Sequence, residues 1–173
     1  MILDVTGKMV IDKRAREWCK LPYPDHPKGC LNYGKREDCP PQAPHIETFI
    51  DLTKPHYFVC QKFDLGAWAN KMKEKHPEWS DRQARCCLYW QGHVRKLLRA
   101  NIEKNLKHGM IFTLCHEAMG VNVIKTAKQC GLDISVRPKN FVYKIALIGY
   151  PSTKLNSQTQ LQDFTSDNIP YKN

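Results

Sequence analysis

Seven of the chain's 11 prolines (Pro22, Pro24, Pro27, Pro40, Pro41, Pro44 and Pro55) fall between Cys19 and Pro55, together with Gly29 and Gly34. Each proline removes a backbone donor and fixes φ, so this density excludes a regular helix over residues 19–55. A structureless loop of such length is uncommon inside a compact domain unless something holds it. The loop carries Cys19, Cys30 and Cys39. Thiolates are soft ligands that suit zinc and iron–sulfur clusters, and ligands on a loop can approach one point unconfined by a helix or strand, so a metal is the candidate for holding it. The spacing C-x10-C-x8-C lacks the close C-x2-C pairs of a zinc ribbon or ferredoxin and does not choose the metal. Unpaired packing cysteines are the bland alternative, but a free cysteine normally behaves as a buried apolar residue, which fits a polar loop poorly.

The rest of the chain reads as one domain. Its 173 residues, 42% hydrophobic and 25% charged, suffice for a core of their own and exclude a wholly disordered chain, and no apolar run approaches the roughly 20 residues of a membrane span. The N-terminus shows neither the basic start nor the apolar core of a secretory signal, which predicts a cytoplasmic protein whose eight cysteines are not disulfides. Residues 1–15 alternate weakly, a strand or hairpin signal centred on Gly7. Strands are expected near 56–64, 110–115 and 141–149, the last apolar on both faces and so central in a sheet, with helices over 65–75, 82–107 and 117–129. This alternation predicts an α/β or α+β single domain over residues 1–151, a mixed sheet with flanking helices and a cysteine/proline-rich metal-binding loop at 19–55. Residues 152–173 turn polar and read as a tail, disordered or laid over the surface.

Lys and Arg number 27 against 17 Asp and Glu, a net charge of +10. Seven of these cations (Arg82, Arg85, Arg95, Lys96, Arg99, Lys104, Lys107) lie on the expected 82–107 helix against one acid, Glu103. Such a stripe is commonly a solvated face, but it also suits a nucleic acid or a small anionic substrate. Cys87 falls on the apolar stripe of this helix and Cys86 off it, because adjacent residues stand about 100° apart. Cys60 in a strand and Cys130 at a helix end are expected to be structural.

Cys30-Leu-Asn-Tyr-Gly-Lys-Arg-Glu-Asp-Cys-Pro-Pro41 resembles the C-x2-Y-G-x4-C-P-P signature of a widespread cysteine-rich family described as predicted metal-binding proteins. Glu117-Ala-Met-Gly-Val-Asn-Val is similar to that family's E-A-x-G-[IV]-[DN]-V motif, and the closing strand follows at a similar place, so the resemblance spans most of residues 19–150. It implies a metal or iron–sulfur cluster held by the N-terminal cysteines and by cysteines just before the E-A-x-G motif. Carried over by position, the implied ligands are Cys19, Cys30, Cys39 and Cys115. The chain has fewer mid-region cysteines than is usual in the family, so one site is expected.

These readings predict a cytoplasmic, cysteine-ligated metal protein, its cofactor an iron–sulfur cluster of the 4Fe–4S kind, in redox or sulfur chemistry. Four ligands would close the site; three would leave a metal position open for substrate, with Glu117 or His116 beside it to move protons. His26, His45 and His116 are candidate additional ligands. The alternative is a zinc-stabilised nucleic-acid-binding module using helix 82–107 and aromatics such as Trp90, Tyr89 and Tyr33. A third reading is a cysteine nucleophile at Cys115 beside His116 and Glu117, although sequence neighbours are rarely spatial partners in such a triad. No Walker loop, G-x-G-x-x-G, H-E-x-x-H or G-x-S-x-G motif occurs, so nucleotide, dinucleotide, zincin and serine-hydrolase assignments lack support.

Overall fold

Two nine-residue strands with β-branched and aromatic residues, β2 (His56–Asp64) and β4 (Phe141–Gly149), form the spine of the fold. In a computed structural model that describes residues 1–22 and 27–155, they pair antiparallel along their whole length, from His56 opposite Gly149 to Asp64 opposite Phe141. Two short strands flank them: β1 (Ile2–Asp4) on β2, and β3 (Ile111–Thr113) on the C-terminal third of β4. The order is β1-β2-β4-β3. The fold is α+β, and its sheet is antiparallel at every ladder rather than mixed. The segment between β2 and β3 does make those two strands run the same way, as alternation suggests, but β4 inserts between them.

Side chains alternate across β4. Ile145 and Leu147 pack with Phe58 and Cys60 of β2, and with Ile46, Phe49, Met119, Val121 and Ala127, in the larger core. On the opposite face Ala146 and Ile148 lie with Val59 under Leu98 and Ile102. These last two come from helix α4 (Gln91–Asn105), the fourth of five α-helical segments among the described residues; the others are α1 (Ile46–Phe49), α2 (Leu65–Lys75), α3 (Asp81–Ala84) and α5 (Val123–Gln129). Burial of side chains like Leu98 and Ile102, 1% and 2% exposed, stabilises by about 1.5–3 kcal/mol each and seats α4 on the sheet.

Several elements differ from expectation for local reasons. The 82–107 helix is broken into α3, a short 3-10 segment (Cys87–Tyr89) and α4. The break lets Trp90 turn inward: its ring stacks on Phe63 at 4.9 Å and its indole N–H donates to the Arg85 carbonyl at 3.2 Å. Cys87 is consequently exposed rather than packed, and Trp90 is buried rather than available to a base. The 117–129 helix begins only at Val123. Gly120, at φ +96°, is in the left-handed region that interrupts a helix, and the Asn122 side chain caps the new start by accepting from the Lys125 N–H at 3.1 Å. No N-terminal hairpin forms, because β1 pairs with β2 and Ile11 bridges to Val121. Among its described residues the proline-rich loop contains one α-helical turn, α1, and a 3-10 helix (Lys13–Lys20) leads into it. Past Pro151, Ser152 and Leu155 are buried, so the packed unit reaches residue 155; the remainder of the expected tail lies outside the described residues.

Candidate functional site

The 3-10 helix delivers Cys19 to the start of the loop, and the loop folds back on it. Gly29, at φ +80°, lets the Cys30 N–H reach the Cys19 carbonyl at 2.7 Å; a Cβ there would collide with the Cys19 and Lys20 backbone. Farther on, the Gly34 N–H donates to the Pro40 carbonyl at 2.8 Å and the Ala43 N–H to the Cys39 carbonyl at 2.9 Å. Arg16 fastens this loop to the turn after β3. Its guanidinium donates to the carbonyls of Pro41 at 3.0 Å, Pro44 at 3.2 Å and Ala118 at 2.9 Å.

Where β3 ends, the Cys115 N–H donates to the Thr113 hydroxyl at 3.0 Å. The Cys115 thiol lies 3.4 Å from one oxygen of Asp38, and the Cys39 thiol 3.7 Å from the other. Arg36 grips the same carboxylate with two bonds, 2.8 and 3.0 Å. Burial pushes the Asp38 carboxyl up, but Arg36 and the Cys115 thiol outweigh it and hold it below the usual range. The two thiols move the other way. Burial first, then the Asp38 charge, pushes Cys39 up to about 11 and Cys115 up to about 12. Burial and the neighbouring Cys30 raise Cys19.

Of the four sequence-predicted cysteines, Cys39 and Cys115 are brought together at Asp38, while Cys30 is only within electrostatic range of Cys39 and of Cys19. Two cavities, of about 250 and 500 Å³, meet at Cys39, Cys115 and Lys144; the larger also reaches Cys19 and Glu117. Among the described residues no three Cys, His, Asp or Glu side chains converge closely enough to hold a metal ion as they stand. The donor set nonetheless suits a thiophilic metal in kind, since burial and the Asp38 charge keep these thiols protonated despite Arg36, and a metal ion would supply the further positive charge that favours the thiolates.

The remaining candidates sit elsewhere or do other things. His116 is buried, with its ring 5.3 Å from that of Phe58. Burial lowers it to about 4, despite a hydrogen bond to the Thr113 backbone, so it is neutral near pH 7. No hydrogen bond links Cys115, His116 and Glu117 among the described residues, and a thiol near 12 is a weak nucleophile. His45 is exposed at the start of α1, and His26 lies outside the described residues. Cys60 is buried in β2, pushed up to about 11 by burial, with Cys130 as its thiol neighbour. The sequence reading missed Asp38, Arg36 and Arg16, as well as Lys144. Lys144 did carry a signal, being the lone charge in the apolar strand Phe141–Gly149.

Comparison of this chain with models of known protein families, with curated proteins and with solved structures finds no match. No helix among the described residues is long and apolar enough to cross a membrane.

Proposed function

We propose that this chain is a cytoplasmic, cysteine-ligated metal protein, with Cys19, Cys30, Cys39 and Cys115 as ligands and an iron–sulfur cluster as cofactor. The observation that carries the reading is the approach of Cys39 and Cys115 to one carboxylate, Asp38, where two cavities adjoin, with Cys19 lining the larger cavity and Cys30 within electrostatic range of Cys19 and Cys39. The resemblance of residues 30–41 and 117–123 to the cysteine-rich family supports the same ligand set. A bound cluster would supply electron transfer or, with an open iron, Lewis acidity. The chain's own residues would hold it and shape its surroundings. Arg36 fixes Asp38 beside Cys39 and Cys115, and Glu117, raised by burial, can hold a proton next to the thiols. Each ligand must lose its proton to bind, so metal uptake strengthens with rising pH.

Anaerobic purification followed by iron, sulfide and zinc analysis tests the assignment. The expected product is brown, with broad visible absorbance, and loses its metal in Cys30→Ser and in Cys39→Ser, whose 28–43 segment becomes sensitive to protease. Full metal content in both variants would overturn the ligand assignment. One observation favours a second reading, a zinc-stabilised nucleic-acid module: Tyr89, 55% exposed, stacks on Trp79 at 5.0 Å, which stacks on His76 at 4.3 Å. Such a platform can take a base. A colourless protein with stoichiometric zinc supports it over the first.

A further inference from the structure

The smaller cavity, about 250 Å³, has thiols on one side and cations on the other. Arg95 and Arg99 come from one face of α4, being four residues apart on a helix. Lys144 stands on the α4-facing side of β4, in line with Ala146 and Ile148. Arg36 enters from the loop. The opening exists because β3 stops early: its last pair is Thr113 with Leu147, so among the described residues no strand runs beside Lys144 on that edge, and the chain turns away at Cys115.

Among the described residues, Arg95 and Lys144 face this wall with no carboxylate paired to either: the acid that lines it, Asp38, is held by Arg36 and lies within 3.7 Å of both thiols. The Lys144 ammonium has no side-chain hydrogen bond or ion pair among the described residues, and burial and the positive charge of Arg95 both act against it; Cys87, Cys115 and Glu117, the last lining the adjoining cavity, favour it. Placing a half-buried ammonium among guanidinium groups is unfavourable by itself. An anion between them reverses the sign. Guanidinium forks match the oxygens of phosphate in pairs, a dianion gains about twice the Coulomb energy of a monoanion at one distance, and the volume falls below the roughly 300 Å³ at which drug-sized pockets begin.

We propose that this cavity binds a small dianionic oxyanion of the phosphate-monoester type, held by Arg95 and Lys144 and seated against Cys39 and Cys115. The site needs no metal. If one is bound at the thiols, the anion lies next to it, which would make this the substrate pocket of the same centre.

The test is calorimetric titration of the full chain with inorganic phosphate and, separately, with acetate, at slightly alkaline pH and constant ionic strength. One phosphate binds per chain, more tightly than acetate. Arg95→Gln and Lys144→Met each weaken it by about tenfold or more, as expected for loss of one charge-assisted contact. Lys96→Gln, turned about 100° from Arg95 on the helix, leaves affinity unchanged. Three results overturn the proposal: phosphate binding weaker than about 10 mM, acetate binding equal to phosphate, or equal weakening by Lys96→Gln and Arg95→Gln. Should Lys144→Met fail to fold, the comparison of Arg95→Gln, Arg95→Lys and Lys96→Gln decides, with Arg95→Lys intermediate. These variants remove no thiol, so metal content measured on the same preparations separates failure here from failure of the ligand assignment.

Discussion

Arg16 holds together two segments that the sequence separates widely, and its removal has a calculable effect. In Arg16→Met, the carbonyls of Pro41, Pro44 and Ala118 lose donors at 3.0, 3.2 and 2.9 Å. Hydrogen bonds to a charged group contribute about 1.5–3 kcal/mol when buried, and less where water can replace the donor. The bond to Pro41 is exposed and those to Pro44 and Ala118 are partly buried, so the loss is about 3 kcal/mol in all. For a chain of this length it corresponds to a fall in Tm of about 6–12 °C. The measurement is thermal unfolding followed by circular dichroism, in chelator so that metal binding adds nothing by mass action. Parallel tryptic digestion should show earlier cleavage after Lys35 and Arg36. Arg16→Lys, with a single ammonium in place of the fork, recovers only a minor part. A fall under about 2 °C, or a large fall with no change in loop cleavage, would refute the idea that Arg16 joins the loop to the turn after β3.

Trp90→Ala empties the space against Phe63 and Val94 and should lower stability by about 3–5 kcal/mol in urea unfolding; a loss below about 1 kcal/mol would mean the helix break has another cause. Cys60→Ser should retain its full metal content, and an emptied site would make Cys60 a ligand. Burial raises the Cys60 thiol from an ordinary value of 9.0 to about 11, so its stabilising contribution is complete below pH 9 and is lost as pH rises through 11. The stability of wild type relative to Cys60→Val should therefore drop by up to about 2–3 kcal/mol across that window, and a flat difference would contradict it. On the nucleic-acid reading, replacing Arg95, Lys96 and Arg99 together by Gln makes the salt dependence of binding shallower by about 0.7–0.9 per phosphate contact removed; an unchanged slope eliminates that reading.

What could be read from the sequence follows from where its information is local. The bounds of β2 and α2 match expectation because alternation, the Asp64 cap and the His76-Pro77 stop act within a few residues. The central place of β4 follows from a strand apolar on both faces. The antiparallel insertion of β4 is a long-range choice with no local signature. The helix break at residues 85–90 arises because Trp90 finds Phe63, a contact invisible to periodicity. In the site, the proline-rich loop marked Cys19, Cys30 and Cys39, and a motif resemblance added Cys115. Asp38 stood beside Cys39 in that motif, yet its contact with Cys115 depends on tertiary folding. Arg95 and Arg99 read as a solvated stripe, and only the early end of β3 turns them toward a cavity.

The position of β4 between β2 and β3 also sets a timetable. Of the four described strands, β4 is the last to leave the ribosome. Until Phe141–Gly149 has been made, β2 has an open edge, β3 has no partner at all, and Leu98 and Ile102 have only half a surface to cover. At about 5–20 residues per second the roughly 80 residues separating β2 from the end of β4 take on the order of 4–16 s to synthesise. Through that interval the nascent chain exposes an apolar strand edge, and the two cores on either face of the sheet can close only once β4 has been made.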